Sequence, residues 1–190
     1  MSVTTQIVDP QSASDHKTKH QPRSTMNVLL WTTQVLWGAF FSFTGFGKIM
    51  SYRPDVWNQT LHQPVPWFSA VPQGLFVFIG VCEFLGGVGL ILPAMTRVKP
   101  KLTPFAAVGL TLVMFAAAIF HIVRGEYSFF LPINLVLGGG AAFIAYGRLM
   151  ARPIAAASIN TLRMLTGLAV CGALVLVGFA PVWYQLTRAH

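Results

Sequence analysis

The chain has 190 residues, of which 54% are hydrophobic and only 9% charged, and its mean hydropathy is +0.62. A soluble domain carries about 25% charged residues, and one core built from a chain this short cannot hide so large an apolar fraction from water. A water-soluble globule is therefore excluded, and the lipid bilayer is the solvent that this composition fits. The net charge of +8 does not indicate nucleic acid, because the 13 Lys and Arg residues are scattered between apolar runs and form no single basic stripe.

In chain order, residues 1–26 are polar, rich in Ser, Thr, Gln and Lys, and lack the apolar centre of a cleavable signal peptide. They are expected to form a disordered cytoplasmic tail. Five apolar runs follow, at residues 27–47, 74–92, 102–123, 129–146 and 164–184. Each is long enough to cross a hydrocarbon core that takes about 20 helical residues. Each is expected to be a helix, because lipid offers no partner to an unpaired backbone group. The first run then acts as an uncleaved signal anchor. The fourth is the shortest reading, with Pro132 in its first turn and Gly138, Gly139 and Gly140 further on.

The connections differ in character. Residues 48–73 carry Trp57, Trp67, Phe68 and the prolines Pro54, Pro64, Pro66 and Pro72, which suits a short amphipathic or re-entrant segment at the headgroup level. It forms either an aromatic belt or a lid over an outward-facing cavity. Residues 124–128 are so few that the third and fourth runs must form an antiparallel hairpin. The resulting fold class is an all-α integral membrane bundle of four helices plus a fifth, C-terminal transmembrane helix. Its divisions are the tail (1–26), the four-span bundle (27–148), and a cytoplasmic linker with the fifth span (149–190).

Basic residues set the orientation. One side collects Lys17, Lys19, Arg23, Arg97, Lys99, Lys101, Arg148, Arg152 and Arg163, against Lys48, Arg53, Arg124 and Arg188 on the other. The expectation is an inner-membrane protein with a cytoplasmic N-terminus and an outward C-terminus, its excess of cations facing anionic headgroups.

An ionisable group inside the membrane costs a few kcal/mol, about 2.5–3.5 on insertion scales, which makes Glu83 the most informative residue. Gly80, Glu83 and Gly87 share one helix face, a stripe suited to close helix packing. Glu83 should point into the bundle, where a carboxyl kept neutral would donate a hydrogen bond or relay a proton. Its candidate partner is Lys48 at the end of the first run. His121 lies above Ala118, Ala117 and Met114, and Asn134 begins a stripe through Gly138, Ala141 or Ala142, and Ala145. Lys48, Glu83, His121 and Asn134 all fall in the outward half, as a polar pocket between helices requires. The plainer alternatives are an interfacial lysine, a structural Lys48–Glu83 ion pair, and packing roles for His121 and Asn134. Cys82 and Cys171 lie in apolar runs without metal-ligand spacing and read as packing residues, so no metal site is expected.

Three of these runs carry a family resemblance. Phe43-Thr44-Gly45-Phe46-Gly47-Lys48 resembles a Ser-Gly-x-x-Lys element, with Thr44 in place of Ser. Gly80-Val81-Cys82-Glu83-Phe84-Leu85-Gly86-Gly87-Val88-Gly89 resembles a glycine-rich helix with a central Glu, and Ala116-Ala117-Ala118-Ile119-Phe120-His121 followed by Gly147-Arg148 completes the pattern of the DoxX-like membrane proteins. The resemblance covers residues 28–148. It implies a four-helix bundle related to DoxD, the membrane subunit of a thiosulfate:quinone oxidoreductase. It also implies that Lys48, Glu83 and His121 line a site for quinone or another lipophilic ligand, with Glu83 or His121 exchanging protons and His121 or Asn134 bonded to a ring carbonyl. The fifth span and the long tail depart from that pattern. The expected function is a quinone-linked redox subunit working with a protein partner. The alternatives are a non-enzymatic scaffold or assembly partner, and a small homo-oligomeric channel or exporter.

Overall fold

The computed structural model describes residues 25–173 except 66, 159 and 171. Four long helices form a ring: α1 (Thr25–Met50), α3 (Gln73–Thr96), α4 (Leu102–Val123) and α5 (Phe130–Tyr146). Each packs on the next, and α5 returns to α1. Between α1 and α3 lie the short helix α2 (Pro54–Leu61), which buries none of its side chains, and a single 3-10 turn at Phe68–Ala70. A π-helical turn, Gly147–Ala151, prolongs α5, and a further apolar helix, α6, occupies Thr161–Val170.

The sequence accounts for these elements locally. Pro104 stands in the first turn of α4, where its missing N–H leaves no bond unmade. At the end of α3, Arg97 adopts φ 58°, a left-handed cap rarely taken by a side-chain-bearing residue. Its carbonyl accepts a hydrogen bond from the Ala157 amide at 3.2 Å, which ties the segment after α5 to the end of α3.

The bundle is inverted relative to a soluble one. On α4 the buried positions include Thr103, Ala107, Leu110, Met114, Ala118 and His121, while Phe105, Leu112 and Phe115 are 63%, 63% and 65% exposed. Large apolar side chains on the outside and small or polar ones inside are what a lipid-facing helix requires. Three helices, Gln73–Thr96, Leu102–Val123 and Phe130–Ala151, are long and apolar enough to cross a membrane. The π-helical turn thus removes the shortness of the expected fourth run. The 26 residues of α1 span about 39 Å, but Thr32, Thr33, Gln34, Ser42 and Thr44 make it less apolar. Of the expected fifth run, α6 is described only in part, and residues 174–184 lie outside the described residues, as do Cys171 and residues 1–24 of the tail.

The tightest seam is between α1 and α3. A β-carbon on Gly87 would lie 2.5 Å from the Ser42 backbone nitrogen and 2.7 Å from the Gly38 carbonyl oxygen. One on Gly45 would collide with the backbone of Phe84. Four small residues, Gly38, Gly45, Gly80 and Gly87, therefore set the separation of these two backbones. Gly87→Val should destabilise the bundle by about 1–3 kcal/mol through overpacking, read as a lower thermal unfolding midpoint in detergent. Gly74→Ala, where a β-carbon meets nothing within 4 Å, should not lower it; an unshifted Gly87→Val would refute the close crossing.

Candidate functional site in the helix bundle

Lys48 lies in the last turn of α1, and the bare backbone of Gly80 on α3 makes room for its stem: a β-carbon there would stand 2.6 Å from Lys48 Cβ. The side chain therefore lies against α3 and does not run out to the headgroups. Its Nζ donates to both Glu83 carboxylate oxygens at 2.6 Å, and Thr44, one turn earlier on α1, donates to Oε2 at 3.1 Å. The Glu83 side chain is 4% exposed and that of Lys48 18%. The carboxylate is thus buried, and the lysine is the more exposed member of the pair. Thr44 supplies the hydroxyl that Ser would supply in the motif it replaces.

His121, in the last turn of α4, takes a different partner. Its Nδ1 lies 2.5 Å from Glu126 Oε2, the Glu126 amide donates to the His121 carbonyl at 2.9 Å, and Arg124 Nε donates to Glu126 Oε1 at 2.8 Å. Gly125, at φ 74°, turns the chain so that Glu126 folds back on the histidine. Partial burial alone would raise the Glu126 carboxyl. The hydrogen bonds from His121 and Arg124, with the arginine's charge, outweigh that and hold it below the ordinary 4.5.

An aromatic layer covers the same end of the bundle and reaches His121. Phe76 is two helical turns above Glu83 on the same face of α3, about 10 Å along the axis. The rings of Trp57, Trp67 and Phe68 pack on Phe76 at 5.4–5.5 Å between centroids. Trp67 meets the His121 ring edge-on at 6.0 Å, and Phe130 stacks on it at 4.9 Å and 12°. Residues 48–73 therefore bring their aromatic rings onto the end of the bundle. Asn134, one turn beyond Phe130, is 8% exposed and makes no side-chain hydrogen bond among the described residues. Of the four residues singled out from the sequence, Lys48 and Glu83 touch. His121 meets Trp67, which packs on Phe76 two turns from Glu83 on α3, and Asn134 stands apart on α5.

A second buried polar cluster, at the opposite end, was not anticipated. Gln34, fully buried, donates through Nε2 to the Leu90 carbonyl at 2.6 Å and accepts from Arg148 Nε at 2.9 Å. Arg148 Nη1 donates to Asn27 Oδ1 at 3.2 Å, and its guanidinium lies 4.8 Å from the Trp31 ring. Its Nη2 is buried without a hydrogen-bond partner among the described residues. Arg148, read from the sequence as a loop cation, is instead 4% exposed within the bundle. Gln34, a polar residue in the middle of an apolar run, was the available signal.

The ion pair makes a test. Breaking a buried pair by removing one partner costs about 3–5 kcal/mol, while replacing both with apolar groups is close to neutral. Lys48→Met and Glu83→Leu alone should each lower thermal stability in detergent markedly, and the double variant should recover most of the loss. Additive losses in the double variant would show that the two side chains do not act as a pair.

Against this geometry, the sequence pattern of the DoxX-like family matches residues 32–146, well over half of the chain and all four helices of the ring. No curated protein and no solved structure matches it. The matched span contains Lys48, Glu83, His121 and Asn134, and it ends just before Arg148. The chain belongs to the DoxX-like family and is a multi-pass membrane protein of that family.

Proposed function

We propose that this chain is a quinone-linked redox subunit, related in role to DoxD, that holds a lipophilic ring ligand at the end of the bundle beneath the aromatic layer. The observation that carries this reading is the buried Lys48–Glu83–Thr44 cluster, a proton-bearing group inside an apolar bundle and below a layer of aromatic rings. Reduction of a quinone to a quinol takes two electrons and two protons. The electrons come from a partner oxidoreductase subunit. The protons pass through this chain, with Lys48 as the more exposed member and Glu83 as the inner one. Trp67, Phe76 and Phe130 offer flat apolar contact to the ring. Asn134, whose amide has no hydrogen-bond partner among the described residues, donates to a ring carbonyl, and His121, held by Glu126, orients the other side.

The reading extends to the membrane arrangement. The ring α1, α3, α4 and α5 forms four spans in residues 27–148, α6 begins a fifth, and residues 1–26 are a cytoplasmic tail. Arg97, Lys99, Lys101, Arg148, Arg152 and Arg163 share one end, which supports a cytoplasmic placement for that end and an inner-membrane location. A second reading is favoured by a specific observation. Glu83 already receives three hydrogen bonds from Lys48 and Thr44, as a purely structural tie in a scaffold would.

Two measurements decide. Protein purified from native membranes should carry extractable quinone, with about fivefold less retained by Asn134→Ala for one lost hydrogen bond, and Glu83→Gln should slow quinol formation with its partner present. Protein without quinone, together with full cellular function of both variants, would leave the scaffold. For topology, an alkaline phosphatase reporter inserted at residues 124–128, or fused after His190, should be active in a bacterial host. The same reporter inserted at residues 98–101 should be silent, and the reverse pattern would overturn the orientation.

A further inference from the structure

The ionic side chains of the described residues divide unevenly between the two ends of the bundle. At the Lys48 end every carboxylate has a cation: Lys48 on Glu83, Arg53 on Asp55 at 2.9 Å, and Arg124 on Glu126 at 2.8 Å. At the other end stand Arg97, Lys99, Lys101, Arg148, Arg152 and Arg163, with no Asp or Glu among the described residues there. Arg97 and Arg163 make no side-chain hydrogen bond or ion pair among the described residues.

These two arginines line the same groove. It has a volume of about 440 Å³, and its apolar walls come from Trp31 and Val35 of α1, Ala94 and Met95 of α3, and Val170 of α6. The walls are held by the fold. A β-carbon on Gly167 of α6 would stand 3.1 Å from Thr96 and 3.2 Å from Leu92 of α3, a close helix contact, and the Ala157 amide is bonded to the Arg97 carbonyl. The Arg148 guanidinium, 4.8 Å from the Trp31 ring, adds a third uncompensated positive charge beside one wall.

We propose that this groove binds one anionic phospholipid, with its phosphate between Arg97 and Arg163 and an acyl chain along Trp31, Val35, Met95 and Val170. The charge and the shape each narrow the occupant. Guanidinium groups bind phosphate oxygens through paired N–H donors, and an arginine pair with no carboxylate nearby among the described residues offers its charge to an anion. A free phosphate would satisfy the arginines and leave the apolar walls bare. A zwitterionic lipid would cover the walls and forfeit the net attraction, worth roughly fivefold in affinity for each basic residue near the headgroups. The site is separate from the aromatic end and independent of the quinone reading.

The test uses the full chain, delipidated in a neutral detergent and examined by native mass spectrometry. The probes are phosphatidylglycerol, phosphatidylcholine with the same acyl chains, and glycerol phosphate. Phosphatidylglycerol should be retained at least about tenfold more tightly than phosphatidylcholine, and Arg97→Gln with Arg163→Gln should weaken it about 10- to 30-fold while weakening phosphatidylcholine, which shares the phosphate but carries no net charge, by clearly less. Val35→Trp, which fills the apolar wall and keeps both charges, should reduce retention of both lipids, and it carries the test if the double arginine variant does not fold. Arg53→Gln at the opposite end should change nothing. Equal retention of the two lipids, indifference to the arginine or Val35 substitutions, or glycerol phosphate binding as tightly as phosphatidylglycerol would each overturn the proposal.

Discussion

The close crossing of α1 and α3 is the constraint on which the rest of the bundle depends. Inside a membrane the lipid tails are as apolar as any helix face, so helices gain little from hiding from solvent and must associate through tight contact and polar ties. Gly38, Gly45, Gly80 and Gly87 supply the contact, and Lys48, Thr44 and Glu83 supply the tie. Neither works without the other. The ammonium group reaches both carboxylate oxygens only because Gly80 lets the stem of Lys48 lie on the α3 backbone. The carboxylate, once buried, holds the two helices in register, since any slide would strip it of its cation.

That register also fixes the end of the bundle above it. Phe76 shares the Glu83 face of α3, so placing Glu83 against α1 also sets Phe76 where Trp57, Trp67 and Phe68 can close over it. Through Trp67 the same layer reaches His121 and Phe130, and so links the α1–α3 pair to the α4–α5 hairpin. Polar chemistry and aromatic shape are thereby assembled by one helix contact.

What could be read from the sequence follows from how local each signal is. The limits of α4 match the expected third run, because its apolar stretch is bounded by polar loops on both sides. At two other boundaries the helix runs past the end of the expected apolar run and carries a cation that is held inside the bundle. In α1 the helix continues through Lys48 to Met50 because Glu83 neutralises the charge in place. After α5 the chain continues helically through Arg148 because that guanidinium folds inward onto Gln34, Asn27 and Trp31. Glu83 was legible as a lone acid in an apolar run, and Lys48 as a cation within reach of it. The His121–Glu126 contact was not, since it depends on the backbone turn at Gly125, and the Gln34–Arg148 bond joins residues 114 positions apart.

Two seams of the ring, α1–α3 and α5–α1, are closed by different means. Between α1 and α3 the backbones themselves meet. Between α5 and α1 the closure is made by long side chains: the Trp37 indole donates to the Leu137 carbonyl at 2.8 Å over the bare backbone of Gly140, and Arg148 reaches Gln34. A seam held by side chains can adjust by rotamer, whereas a seam held by backbone contact can only break. The buried polar residues follow this division. The ion pair, with Thr44 as its third member, sits at the rigid seam, and the guanidinium, one of whose nitrogens has no partner among the described residues, sits at the adjustable one. The two clusters therefore have different roles in one bundle. Glu83 fixes how α1 and α3 are joined, and Arg148 lets α1 and the end of α5 close on each other without backbone contact.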